Sequence, residues 1–186
     1  MESPFGRRER SCICKCKKAI GALKYAAGGS SFLIRKRLAE ASIMSRIVYG
    51  IQIWGSGATA TVIRKVQSVQ NLAMVWITGA HRRTSTKELL KTVGWLSIHQ
   101  LVFYHGFLTI YKIRKNGSPY FNLRHLNSRG INRGRIGLTR RRWSGAILDL
   151  YNSLDPSIRF ETKISAFKRK AKEWIKEHIG IFNSDD

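Results

Sequence analysis

WITGAHRRTSTKELLKTVGWLSIHQL, residues Trp76–Leu101, sets three helix boundaries within a few turns of chain. One helical pattern runs to Ile77, and Gly79 is placed to take the left-handed conformation that closes it. A short helix then starts at Ser85. Ser85 and Glu88 have the Ser-x-x-Glu spacing in which the hydroxyl and the carboxylate each satisfy a free backbone donor of the first turn. Gly94 ends that helix, and Ser97 with Gln100 repeats the spacing ahead of a long apolar helix reaching about Arg114. The segment reads as a helical corner with a basic edge.

Upstream, Met1–Arg10 carries charge with Pro4 and Gly6 and is expected to be disordered. A first helix is predicted from about Ser11 to Ala27, ending at Gly28–Gly29. Ser30 or Ser31 then caps a longer one whose apolar positions Leu33, Ile34, Leu38, Ala41, Met44, Ile47, Val48 and Ile51 recur mostly at three and four residues, up to Gly55–Gly57. From Thr59 a further stripe, Val62, Val66, Val69, Ala73 and Trp76, is flanked by Gln67, Gln70 and Asn71 on the polar side. The helix from Ile98 is apolar nearly all round, as the middle helix of a bundle is. Downstream, Asn122–Leu138 loses periodicity, Asp155–Pro156 marks a turn, and a last amphipathic helix is predicted from Ser165, with Phe167, Ala171, Trp174, Ile175 and Ile179 on one face. The fold class is all-α, an irregular helical bundle with one long basic loop. Its expected division is a disordered N-terminus at 1–10, a helical core at 11–121, a basic Gly/Arg-rich linker at 122–139, a C-terminal helical pair at 140–182 and a tail at 183–186.

The chain has 186 residues, 43% of them hydrophobic, enough to bury a real core. Its 34 Lys and Arg stand against 11 acids, a formal charge of +23. A compact state so charged repels itself until a polyanion or salt neutralises it, which makes nucleic acid the leading partner and an anionic membrane surface the second. Cys12, Cys14 and Cys16 are too close in sequence to staple distant parts of a fold, a reducing-compartment pattern. With no apolar run of signal-peptide length after the N-terminal charges, secretion is not expected, and the expected location is nuclear or cytoplasmic. Thr92–Tyr111 lacks Asp, Glu, Lys and Arg and is long enough to raise the question of a membrane helix. Gly94, Ser97, His99, Gln100 and His105 interrupt it, and a buried helix is the preferred reading.

Catalysis has no visible home. Two-metal polymerisation needs clustered carboxylates, yet between Glu40 and Asp149 the sole acid is Glu88, placed as a helix cap, and the one adjacent pair is Asp185–Asp186. Alternate cysteines on a helix diverge by about 200°, so the three are not expected to converge on zinc. His99 and His105, about 240° apart around a helix, are read as histidines in or beside the core. No catalytic residue, metal or cofactor is expected. The basic clusters need only a phosphate backbone to be useful. Arg124, Arg129, Arg133, Arg135, Arg140, Arg141 and Arg142 fall in the loop and its exit. Arg82, Arg83 and Lys87, with His81, form a second cluster where the dipole of the Ser85 helix favours anions. Core packing is preferred for all five tryptophans, Trp54, Trp76, Trp95, Trp143 and Trp174, with Trp143 beside Arg140–Arg142 the best exception as a stacking platform.

These residues also carry a resemblance. The opening segment, with VYGIQIWG at Val48–Gly55 and VQSVQNLAMVWITG at Val66–Gly79, resembles the region after the polymerase palm in non-LTR, jockey-like retrotransposon reverse transcriptases. YKIRKNGSPYF at Tyr111–Phe121, RRRWSGAILDLYNSLDPSIR at Arg140–Arg159 and FKRKAKEWI at Phe167–Ile175 follow in the order of that family's C-terminal end. The likeness spans roughly Lys17 to Phe182 and lies in collinear order, not in one signature. It implies a thumb-like unit gripping the template and primer of an RNA-directed DNA polymerase, with the palm's adjacent aspartates having no counterpart here. The partner would be RNA or DNA, with no small-molecule substrate. An independent structural RNA-binding protein is the alternative, and a basic protein peripheral to anionic membranes, held through helices such as Ser165–Ile179, is a third reading.

Overall fold

The computed structural model describes residues 4–49, 51, 55, 58–116, 126–127, 130–131 and 143–180. The chain is all-α. Helices run over Pro4–Ala27 (α1), Phe32–Ala39 (α2), Ser45–Val48 (α3), Ala60–Thr78 (α4), Thr86–Val93 (α5), Ile98–Asn116 (α6), Trp143–Asn152 (α7), Pro156–Arg159 (α8) and Ile164–His178 (α9), with a π-helical turn, Glu40–Met44, joining α2 to α3. Two residues at Leu126–Asn127 (β1) pair antiparallel with Gly130–Ile131 (β2). The rest of the expected 122–139 linker lies outside the described residues. Helix α1 begins at Pro4, so Pro4–Arg10 is helical where disorder is expected from composition. The chain divides into two compact units, one of 1–51, 58–99 and 181–186, the other of 52–57 and 100–180. That boundary falls inside α6, earlier in the chain than the 121/122 division expected from the loss of periodicity.

In the first unit the helical corner forms as its local chemistry dictates. Gly79 closes α4 at φ 70° and donates to the Val75 carbonyl; Gly94 closes α5 at φ 76° and donates to that of Leu90. The serine half of the capping box is made, the Ser85 hydroxyl accepting from the Glu88 N–H at 3.2 Å. Gly94 thus ends one helix before α6 starts another, so Thr92–Tyr111 is not a single helix. Among the described residues no helix is long and apolar enough to cross a membrane.

The predicted stripe over Leu33–Ile51 is out of phase at its start. Leu33 and Ile34 are 55% and 51% exposed, while Ala39, Ile43, Ile47 and Ile51 are buried. Arg35 turns inward in place of Ile34 and donates to the Trp76 carbonyl at 2.9 Å. A strict spacing of four drifts by about 40° per step in an α-helix. The π-helical turn absorbs part of a residue and keeps Ala39, Ile43 and Ile47 on one side.

The amides on α4 are the larger correction. Gln67 and Gln70, expected on the polar flank, are 8% and 0% exposed. Gln67 Nε2 donates to Gln70 Oε1 at 2.8 Å and to Asn71 Oδ1 at 2.9 Å, while its Oε1 accepts the Ile98 N–H at 2.9 Å. Gln70 Nε2 donates to the Leu96 carbonyl at 2.9 Å, and Asn71 Nδ2 to the Thr86 hydroxyl at 2.7 Å. Three neighbouring side chains on one helix therefore hold both ends of the corner. Buried polar groups are tolerated on the condition that they are bonded in this way.

In the second unit no described residue of α6 before Lys112 is exposed, as a middle helix requires. Phe107 meets Tyr151 edge-on with ring centroids 5.8 Å apart, and Trp174 at 6.0 Å. Tyr111 stacks on Phe167 at 4.3 Å. A Cβ at Gly106 would lie 2.6 Å from Ile147 Cγ2, so glycine is what lets α7 approach α6 at that point. The apolar face of α9 is formed as predicted, with Phe167, Ala171 and Ile175 fully buried. Ser165 does not cap it; the helix starts at Ile164 behind Lys163, with no side-chain cap. Asp155 caps α8, its carboxylate accepting from the Ser157 N–H at 2.7 Å.

His105 is half-buried on α6, and burial, then the charges of Lys112 and Lys168, push its pKa below the ordinary 6.5. The folded state therefore prefers neutral imidazole. An unfolded chain takes up the proton first as pH falls, so this stability is present above about pH 6.5 and is lost as pH falls below it. Thermal melts between roughly pH 7.5 and 5 should show the loss, and His105→Gln should flatten that part of the profile. An identical pH slope in the variant would remove His105 as its source.

Candidate nucleic-acid interface

The Arg82, Arg83 and Lys87 cluster is brought together by the turn between α4 and α5. The Thr84 N–H donates to the His81 carbonyl at 3.0 Å, and the Arg83 N–H reaches His81 Nδ1 at 3.2 Å. This compact turn places both arginines immediately before the N-terminus of α5, whose first turn carries Lys87. His81, Arg82, Arg83 and Lys87 are all exposed, and Lys91, one turn further on the same face, is exposed with them. Among the described residues the three cationic side chains have no hydrogen-bond or ion-pair partner, so the fold does not consume their charge. Glu88 stands beside them and leaves a positive excess. The free backbone donors and the dipole at the start of α5 add to the attraction for an anion.

Arg124, Arg129, Arg133, Arg135, Arg140, Arg141 and Arg142 lie outside the described residues. The second unit carries a basic group that periodicity did not single out. Arg114 and Lys115 end α6, Arg159 ends α8, and all three face the segment Phe160–Thr162. Arg114 Nη1 donates to the Arg159 carbonyl, Arg159 Nη1 to that of Asn152 at 3.1 Å, and Lys115 Nζ to that of Thr162 at 3.1 Å. Each is a cation held by a neutral carbonyl, so its charge stays uncompensated. The sequence signal was available in Arg-Phe at 159–160 and Arg-Lys at 114–115, but they are 45 residues apart and only the fold joins them.

Several described carboxylates have structural work. Glu40 accepts the Trp95 indole N–H at 2.9 Å, Asp155 caps α8, and Glu161 pairs with Lys170 at 2.7 Å. Among the described residues no group of three or more His, Cys, Asp or Glu could hold a metal ion. Cys14 is exposed and diverges from buried Cys16, as helical geometry requires. Cys12 and Cys16, four apart, do share a face: their sulfurs approach the carbonyls of Arg46 and Ile43 at 3.7 and 4.0 Å. The hydrogen bond from Cys16 and the charges of Arg46 and Lys15 lower the Cys12 thiol to about 7, and the same bond with burial pushes Cys16 up.

Trp76 is buried, but Trp95 and Trp174 are half-buried, not core residues. Trp95 rests its indole on Glu40, and Trp174 stacks on His178 at 4.3 Å. Trp54 and the side chain of Trp143 fall outside the described residues.

No family model, curated protein or solved structure matches the chain.

Proposed function

We propose that this chain is a helical nucleic-acid-binding unit, resembling the thumb and C-terminal region of a non-LTR retrotransposon RNA-directed DNA polymerase, that grips template and primer by their phosphates without catalysis of its own. The observation that carries the reading is the set Arg82, Arg83 and Lys87, exposed, unpaired among the described residues and gathered at a helix N-terminus in a chain of net charge +23. Arginine side chains match phosphate through a planar fork. A membrane-surface role through α9 is disfavoured because that helix spends its apolar face inside the second unit, where Phe167, Ala171 and Ile175 are 0% exposed.

Each neutralised phosphate releases condensed counterions, so log affinity falls with log salt by about 0.9 per contact on duplex DNA and about 0.7 on single strands. Replacing Arg82, Arg83 and Lys87 together by glutamine should weaken binding to unrelated sequences alike and make the salt slope shallower by up to about 2 to 3 units. A salt titration of wild type and variant on two unrelated oligonucleotides is the measurement. An unchanged slope would return the cluster to a solvated surface, and loss confined to one sequence would mean that it reads bases. Flotation with anionic liposomes but no oligonucleotide binding would favour the membrane reading instead.

A further inference from the structure

Phe160 is 60% exposed in a unit that buries Phe103, Phe107 and Phe167. Two guanidinium groups lean on it, Arg114 Cζ at 4.7 Å and Arg159 Cζ at 5.3 Å from the ring centroid. Cation–π contact accounts for part of the ring, yet more than half of the residue's surface stays open to solvent. The ring's setting is fixed. The Phe160 N–H donates to the Pro156 carbonyl at 2.9 Å, and Tyr111 Oη and Lys115 Nζ both donate to the Thr162 carbonyl, at 2.8 and 3.1 Å. Tyr111, Arg114, Lys115, Phe160, Glu161 and Thr162 line an open cleft of about 280 Å³, with Arg159 beside it.

The charge in the cleft has one sign to offer. Arg114, Lys115 and Arg159 donate to neutral carbonyls and pair with no carboxylate among the described residues, whereas the acid, Glu161, is already held by Lys170 at 2.7 Å. An acidic peptide would find the cations but no use for a fixed aromatic face. An apolar partner would meet a single ring surrounded by charge. An unpaired nucleotide uses both, its base stacking on an aromatic face or guanidinium plane and its phosphate meeting the cations. A duplex keeps its base faces covered by their neighbours and would use the cations alone.

We infer that the cleft at Phe160 is a stacking site for an unpaired nucleobase, with the adjoining phosphate held by Arg114 and Lys115. The inference rests on the nucleic-acid reading above and adds single-strand recognition to it at a place remote in sequence from Arg82 and Arg83.

The test uses the full chain, a short labelled thymidine oligonucleotide and an abasic strand of equal length, read by fluorescence anisotropy. Phe160→Ala should lower affinity for the thymidine strand about tenfold, within the range of one lost base stack, and leave the abasic strand unchanged. Phe160→Trp should retain or raise the thymidine affinity, and a circular dichroism melt should show both variants folded. Wild-type affinity of Phe160→Ala for thymidine, or an equal loss on both strands, would overturn the stacking site while leaving phosphate binding intact. Failure of the wild type to bind either strand would overturn the stacking site and the nucleic-acid reading together.

Discussion

Gln67→Met is expected to destabilise the first unit by about 2 to 4 kcal/mol, although it exchanges a polar side chain for an apolar one of similar length in a buried position. The Oε1 of Gln67 is the acceptor of the Ile98 N–H, and its Nε2 is a donor to Gln70 and Asn71. Methionine fills the space and satisfies none of these. A buried group left without its partner costs about 1 to 3 kcal/mol, more than a net hydrogen bond contributes, because water is not there to replace what is lost. The Ile98 N–H is the decisive one, since it opens α6 and has no carbonyl four residues earlier within the helix to turn to. Urea unfolding followed by circular dichroism gives the magnitude, with exposed Ser68→Ala on the same helix as a control expected within about 0.5 kcal/mol of wild type. A loss below about 1 kcal/mol would mean that the network closes around the gap, with Gln70 taking over the Ile98 N–H.

The same residues mark the limit of what the sequence discloses. Gly79, Ser85 and Gly94 are legible because a cap is a relation between residues two to four apart, so its chemistry is complete in the string. Gln67 and Gln70 are not legible. Their partners, Ile98 and Leu96, are 31 and 26 residues away, and helical periodicity assigns any amide to the outside by default. Leu33 and Ile34 depart from the expected stripe for another reason: a period of 3.6 does not hold through a segment that contains a π-helical turn, and one displaced turn rotates everything before it. The interface divides along the same line. Arg82, Arg83 and Lys87 are neighbours in sequence and are neighbours in the fold. Phe160 looks like one more core aromatic until Arg114 is brought to it from 46 residues upstream, and nothing local announces that.

Phe107→Ala should have the largest effect of any substitution considered, a loss of about 3 to 5 kcal/mol, because Phe107 is where α6, α7 and α9 meet. The ring is 0% exposed and lies against Tyr151 and Trp174, with centroids at 5.8 and 6.0 Å and tilts of 70° and 54°. Such aromatic pairs contribute about 0.5 to 1.5 kcal/mol beyond the area they bury. The cost of the cavity depends on whether neighbours can move in. Here Gly106, the adjacent residue, already holds Ile147 so close that a Cβ would stand 2.6 Å from its Cγ2, and the packing between α6 and α7 has little slack to give. The substitution should therefore approach the upper part of the range, where the surroundings fail to collapse. Urea unfolding gives the total, and hydrogen exchange should locate it as lost protection in Trp143–Asn152 and Ile164–His178, the two helices that supply its ring partners. Phe160→Ala, at the exposed C-terminal end of α8, should change stability by less than about 1 kcal/mol in the same measurement, so that the two phenylalanines separate by role. A loss near 1 kcal/mol for Phe107→Ala would show that Tyr151 and Trp174 close over the gap and that the aromatic junction is loose, not rigid.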